Sequence, residues 1–317
     1  MNRPWRITID TNPDQCNLNC IMCDTHSIYN TEHKEPRKPM EKLLLEKSID
    51  DSLKIGVKEI IPSTMGEPLM YKDFNVFVEK LTNTEVKLNL TTNGTFPIYG
   101  VEGWAKKLLP VLSDIKISIN SLNPKVNEKI MPNDHTFNKI EAIKNFSKLR
   151  NDLNPKVTIT LQVTFLESNL EELEELIIFA IENKLDRVKG HQLWITFDEI
   201  NDESLQKDKT SIIRWNKFID SVQKYRSKIT LSNFKKIKLQ ENEINEKGDC
   251  PFLGHELWID QEGTFNICCA PSNKRTALGT WGNIQNRTID DMFNSKQYNN
   301  ILQNYKSQSI CKTCSLR

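Results

Sequence analysis

The chain has 317 residues, enough for one barrel-sized unit plus a small appendage. Its net charge of +1 comes from charges spread along the whole sequence, so nothing marks nucleic acid or a membrane as a partner. No apolar leader follows Met1 and no apolar run approaches the ~18 residues of a membrane span, so the cytoplasm is the expected location.

Six short runs rich in β-branched residues alternate with helical patterns: residues 6–10, 58–62, 86–90, 115–119, 157–163 and 192–196. Before the sixth, Asn169 is placed to cap a helix and Glu172 to close its capping box, with Leu173, Leu176, Ile177 and Ala180 following at helical spacing. Strand then helix, repeated six times, predicts an α/β fold with a parallel sheet. It is either doubly wound or a partial (β/α)6 TIM-like barrel, with its functional loops at the strand C-termini. Trp194 is expected in the core. Residues 201–247 turn polar around one amphipathic helix (Ile212, Trp215, Phe218, Ile219, Val222) and are expected to be a connector, the run 234–238 being a solvated face. Residues 248–317 change character again, to Cys, Gly and Trp with short strands at 256–260 and 264–267. They are expected to form a small cofactor-stapled domain after a core of residues 1–200, with Trp258 in its interior.

The eight cysteines are clustered: Cys16, Cys20 and Cys23, then none until Cys250, Cys268, Cys269, Cys311 and Cys314. In a reducing compartment such clusters read as metal ligands or redox groups before disulfides. Three thiolates hold three corners of a [4Fe-4S] cubane and leave the fourth iron open to an outside ligand. A structural zinc site needs a fourth protein ligand, for which His26 or Asp24 is at hand.

The motif Cys16-x3-Cys20-x2-Cys23, just after a first strand, resembles the signature of the radical SAM superfamily. The resemblance implies a partial six-stranded barrel. It also implies a cluster whose open iron chelates S-adenosylmethionine and whose electron cleaves it to a 5'-deoxyadenosyl radical that takes hydrogen from substrate. Further segments stand in register with that family. Met65-Gly66-Glu67-Pro68 is similar to its Gly-Gly-Glu-Pro segment, where glycine permits close backbone approach and a carboxylate suits the methionine ammonium. Thr92 and Asn93 close the third strand. Ser118 and Asn120 close the fourth, where the family often sets a serine against the S-adenosylmethionine carboxylate. Met22 replaces the aromatic residue usual beside the adenine, and residues 129–132 lack the family's arginine.

The later cysteines resemble the auxiliary-cluster domains called SPASM and Twitch. Five cysteines suffice for one auxiliary [4Fe-4S] cluster, with Cys250, Cys268, Cys311 and Cys314 as its implied ligands. Cys269, next along a strand, is expected on the opposite face as a small half-buried residue; the alternatives make it a hydrogen-atom donor or the ligand in place of Cys268. His191, in Lys189-Gly190-His191, is the other candidate catalytic residue, and His26, Tyr29 and His33 are candidates for the cavity wall. The spacing of the auxiliary cysteines resembles that of aminocyclitol dehydrogenases, and fifteen residues before Cys16 leave no room for an N-terminal peptide-recognition domain. The expected substrate is therefore a small polar, sugar- or aminocyclitol-like molecule undergoing oxidation or a related modification, with a flavodoxin- or ferredoxin-type reductant as partner. The alternatives are a peptide maturase of ribosomal peptide biosynthesis, either epimerase or crosslinking enzyme, and a non-catalytic zinc or iron–sulfur electron-transfer protein.

Overall fold

Five of the six expected strands lie where the sequence puts them: β1 (Arg6–Asp10), β2 (Glu59–Ser63), β3 (Lys87–Thr92), β4 (Leu112–Ser118) and β5 (Thr158–Phe165). They belong to a computed structural model that describes residues 3–31, 35–63, 65–238, 248–270 and 275–314. His33 and residues 239–247 of the expected connector lie outside the described residues.

The sixth strand is displaced: β6 is Arg187–Gln192, not residues 192–196. The reason is that the inner face of this sheet is polar. Along β6 the inward positions are Arg187, Lys189 and His191, while Val188 and Gly190 are buried on the outer side. A Cβ on Gly190 would stand 1.7 Å from the Phe165 ring, so this glycine lets β6 pack against the Phe165–Trp215 pair behind it. The apolar run that suggested a strand instead leaves the sheet, with Trp194 61% and Ile195 44% exposed, so Trp194 is not a core residue.

Strand β7 (Thr230–Ser232) extends the sheet beyond β6, within the segment expected to be a mere connector. The predicted amphipathic helix forms as α7 (Lys209–Val222) and buries Trp215, Ile219 and Val222. Phe234, expected on a solvated face, is also buried, against Trp215 and Phe165. At the other edge β8 (Glu256–Ile259) pairs parallel with β1, and β9 (Phe265–Asn266) pairs antiparallel with β8. The described strands form one sheet in the order β7-β6-β5-β4-β3-β2-β1-β8-β9, with neighbours from β7 to β8 parallel: an open barrel whose wall the C-terminal region continues.

Helices cover the outer face and bury its Ile, Leu and Val, as in α1 (Lys42–Ile55), α5 (Thr136–Leu153) and α6 (Leu173–Glu182). The predicted apolar face of α6 is correct, but its start is not. Residues Glu167–Glu172 form a 3-10 turn in which Asn169 accepts from Leu166 N–H and donates to the carbonyls of Asn120 and Thr164. Asn169 thus ties the ends of β4 and β5 together and bonds back to the cap residue Leu166, three positions later than the N-cap place expected for it. Among the described residues no helix is long and apolar enough to cross a membrane.

Candidate active site

The loop carrying Cys16, Cys20 and Cys23 follows β1 at the C-terminal mouth of the barrel, and backbone bonds fix it from two sides. Asn19 and Ile21 donate to the carbonyls of Pro132 and Ile130, just after α4 (Pro124–Ile130). On the opposite side Glu67 N–H donates to Gln15 O at 2.7 Å, and Asn12 Nδ2 to Glu67 O at 2.9 Å. Any Cβ on Gly66 would stand 2.3 Å from the carbonyl oxygens of Asn12 and Gln15, so only glycine allows this segment to lie against the cysteine loop.

Glu67 is 2% exposed, and its carboxylate accepts from Thr92 Oγ1, Leu69 N–H and Asn93 N–H at 2.7, 3.1 and 2.7 Å. Burial raises its pKa despite those donors. Three protein donors, the Thr92 hydroxyl among them, thus fix this carboxylate within the loop, with acceptor capacity for one more. Pro68 opens the 3-10 turn behind it. Asn93 bonds Asn17 and reaches Cys16 Sγ at 3.9 Å, which makes it a support for the thiol. Asn120 is likewise buried, its amide oxygen accepting from Thr164 N–H. Of the strand-end candidates, Ser118 keeps a hydroxyl with no protein partner among the described residues, while its carbonyl accepts from Lys139.

Sequence reasoning missed Lys139. It lies on the sheet-facing stripe of α5, is 2% exposed, and pairs with buried Asp134 at 2.7 Å. Its Nζ also approaches Met131 Sδ at 3.8 Å, and Met131 shares a small apolar cluster with Cys16, Cys20 and Met22. A lysine among apolar residues at helical spacing was the available signal. Burial lowers its pKa against the pull of Asp134.

Burial pushes the Cys20 thiol up to about 12, with the Lys139 charge opposing and the neighbouring Cys23 and Cys16 adding to the rise. Cys16 and Cys23 are raised for the same leading reason, and each accepts a backbone N–H, from Leu18 and His26. Three half-buried thiols, of which Cys23 raises the other two and Cys16 and Cys23 already hold N–H···S bonds, suit a polycationic iron core, which takes all three as thiolates. Among the described residues no three His, Cys, Asp or Glu side chains meet tightly enough for a single ion, whereas a cubane takes one thiolate per corner. Met22 lies in the loop with its carbonyl 3.5 Å from Thr196 Oγ1; His26 bonds Pro13 O, and the Tyr29 ring lies 6.5 Å from that of Phe197. The crossing segment 193–197 thus borders the same mouth.

The second set of thiols surrounds the other end of β8. Cys250 precedes this strand, and Cys268 follows β9, which runs back along it. The Cys268 thiol is raised by burial and by Cys250 and Cys314, and the Cys269 thiol to about 12 by burial and by Cys268, Cys250 and Cys314. Cys311 is buried in the core that Cys250 and Cys268 touch. Leu253 and Ala270 donate N–H to the sulfurs of Cys250 and Cys268 at 3.3 and 3.5 Å. These donors fit a second cluster as the first set fits its own. The alternation argument that turned Cys269 away does not apply, because β9 ends at Asn266 and both thiols lie in irregular chain. Trp258 is half-buried on the inner face, with Arg275 4.8 Å above its ring.

Between the two thiol sets runs a polar interior. Arg6 holds Glu59 at 2.7 Å and Glu256 at 3.1 Å; Lys116 holds Asp114 at 3.1 Å and bonds Asn89; Thr158 and Thr160 donate to Asp114. Register then carries Ser118, Gln162 and Lys189 side by side at the mouth, with Thr164 and His191 one step further out. The His191 pKa is lowered by desolvation of its ring and by Lys189 and Lys116.

Comparison with known proteins matches residues 13–180 to a family described as the radical SAM superfamily, and residues 250–315 to one described as an iron-sulfur cluster-binding domain, SPASM. The GTP 3',8-cyclase of Nautilia profundicola is 33% identical over 126 residues, 38% of this chain and 36% of that protein. The chain spans between about a third and a half of the length of the curated relatives it matches. Among solved structures, Streptococcus suis SuiB bound to S-adenosylmethionine superposes with a TM-score of 0.69 at 19% identity, covering 99% of this chain and 71% of that one. The protein anSMEcpe with bound AdoMet gives 0.69 at 17% identity, covering 98% and 86%. The last two share the fold.

Proposed function

Because the chain belongs to the radical SAM superfamily and ends in a SPASM iron–sulfur domain, we propose that it takes a hydrogen atom from a small, polar, sugar- or aminocyclitol-like substrate held inside the barrel. It is a radical SAM enzyme with a [4Fe-4S] cluster for S-adenosylmethionine and an auxiliary iron–sulfur site, which sets aside the non-catalytic alternative. When bound, the first cluster supplies the electron that cleaves S-adenosylmethionine to methionine and a 5'-deoxyadenosyl radical. Cys16, Cys20 and Cys23 would hold it, and Cys250, Cys268, Cys311 and Cys314 the auxiliary one.

The chain's own part is placement. Glu67, Thr92 and Asn93 lock the loop of residues 65–67 against the cysteine loop, leaving backbone and the Ser118 hydroxyl toward a ligand. The observation that carries the substrate reading is the charged and hydroxyl-lined interior, which suits an alcohol-rich molecule better than an apolar side chain. A flavodoxin- or ferredoxin-type protein would be the reductant.

A second reading, peptide modification, draws on the exposed Trp194 and Ile195 beside the mouth. Anaerobic incubation with S-adenosylmethionine, dithionite and panels of polyols, aminocyclitols and peptides separates them. Formation of 5'-deoxyadenosine that depends on a polyol or aminocyclitol is the expected result; dependence on peptides alone overturns the first reading in favour of the second.

A further inference from the structure

Of three cations on the inner faces of β4 and β6, two share a single carboxylate. Lys116 is 3.1 Å and Arg187 3.7 Å from the same oxygen of Asp114. Lys189, the next inward residue after Arg187, has no carboxylate within ion-pair distance among the described residues. Arg6, the remaining cation of this layer, is engaged by Glu59 and Glu256. Lys189 is half-buried, and burial together with the charges of Lys116, Arg187 and Arg6 lowers its pKa against the pull of Asp114. An ammonium held among like charges and away from bulk water is costly unless an anion joins it.

Its position says which anion. Ser118 pairs with Gln162 and Gln162 with Lys189, so the lysine lies two strands from Ser118, roughly 10 Å at about 4.8 Å per strand. It stands in the row that opens to the mouth, with His191 outside it and Gly190 packed on the opposite face against Phe165. A molecule reaching from the Ser118 side into the interior meets this charge first.

We propose that Lys189 is the anion-binding residue of the substrate site, and that the substrate carries a phosphate or carboxylate group placed there. This rests on the reading of the interior as the substrate cavity. The same charge would also suit the carboxylate of S-adenosylmethionine, so the test separates the two sources.

Reconstituted full-length enzyme saturated with S-adenosylmethionine is titrated with inorganic pyrophosphate by calorimetry at low salt. The wild type should bind. Lys189→Met should weaken binding at least tenfold, as expected for loss of a charge-assisted hydrogen bond, and Lys189→Arg should keep most of it. The affinity of both variants for S-adenosylmethionine, measured separately, should stay within twofold of wild type. Mass spectrometry of the unaltered chain gives a second measure that needs no variant: pyrophosphate should slow acetylation of Lys189, and S-adenosylmethionine alone should not. No pyrophosphate binding by the wild type, or equal binding by Lys189→Met, overturns the proposal. So does a parallel loss of S-adenosylmethionine affinity, which would move the lysine to the cosubstrate and leave the radical SAM assignment standing.

Discussion

The two thiol sets are built in opposite ways. Cys16, Cys20 and Cys23 fall within eight residues on a loop that hydrogen bonds to residues 67, 130 and 132 already fix. Cys250, Cys268, Cys311 and Cys314 span more than sixty residues and are carried by segments around short elements: β8, β9 and the helices α8 (Ile289–Phe293), α9 (Lys296–Asn304) and α10 (Ser309–Thr313). A local ligand set is positioned by its loop, whereas a dispersed one is drawn together partly by what it binds. The first site should therefore survive as a shape without iron, and the second should owe part of its stability to it.

Removing the metal is the strongest way to break this contrast. Cys20→Ala should reduce S-adenosylmethionine cleavage to background while leaving the thermal midpoint within a few degrees of wild type. Chelation of all iron should instead expose residues 250–314 to limited proteolysis, while the barrel stays resistant. Closing a loop of this length is worth about 4 kcal/mol by analogy with disulfides, which sets the scale of the loss. Equal protease resistance with and without iron would end the distinction.

That contrast also governs what was legible in the sequence. Local signals were read correctly: the Cys-x3-Cys-x2-Cys spacing, strands β1 to β5, and the apolar faces of α6 and α7. Non-local ones were not. Strand β6 is polar because its inner face meets charges brought by other strands, and Trp194 looked like core because it is apolar. Glu67, Thr92, Asn93 and Asn120 stood out as candidates, but that Thr92 and Asn93 donate to Glu67 while Asn120 accepts from Thr164 N–H required the fold. The Cys269 argument does not apply because a two-residue strand ends before it.

A smaller effect probes why the first site keeps its shape. Lys139 and Asp134 are both 1% exposed at the side chain, and Asp134 also accepts from Asn127 Nδ2, whose oxygen accepts from the backbone of Asn120 and Ser121. The pair anchors the segment 130–132 that holds Asn19 and Ile21. Lys139→Met leaves a buried carboxylate unpaired and should cost about 3–5 kcal/mol in chemical denaturation. It should also lower the iron bound by the N-terminal site, while residues 250–314 keep their protection in the reconstituted protein. If iron loss fell on both sites equally, the lysine would be a general stabiliser and not a support of this loop.

The least disruptive comparison uses one arginine that joins the two regions. Arg6 binds Glu59 of the barrel and Glu256 of the C-terminal strand, yet the two carboxyls shift in opposite directions. Burial alone would raise both; in Glu59 it is outweighed by hydrogen bonds from Ser113, Arg6 and Asn89, so its pKa is lowered. In Glu256 burial wins over Arg6, and the pKa is raised. A lowered folded-state pKa gives stability that is present above the unfolded value of about 4.3 and lost as pH falls through the folded one, while a raised pKa has the reverse slope. Denaturation curves taken from pH 6 to pH 3 should therefore show a shallower acid loss for Glu59→Gln and a steeper one for Glu256→Gln than for the wild type. The opposed signs arise because Glu59 has three donors where Glu256 has one, which is the contrast between the pre-formed barrel and the region appended to it, reduced to two carboxyl groups on one guanidinium.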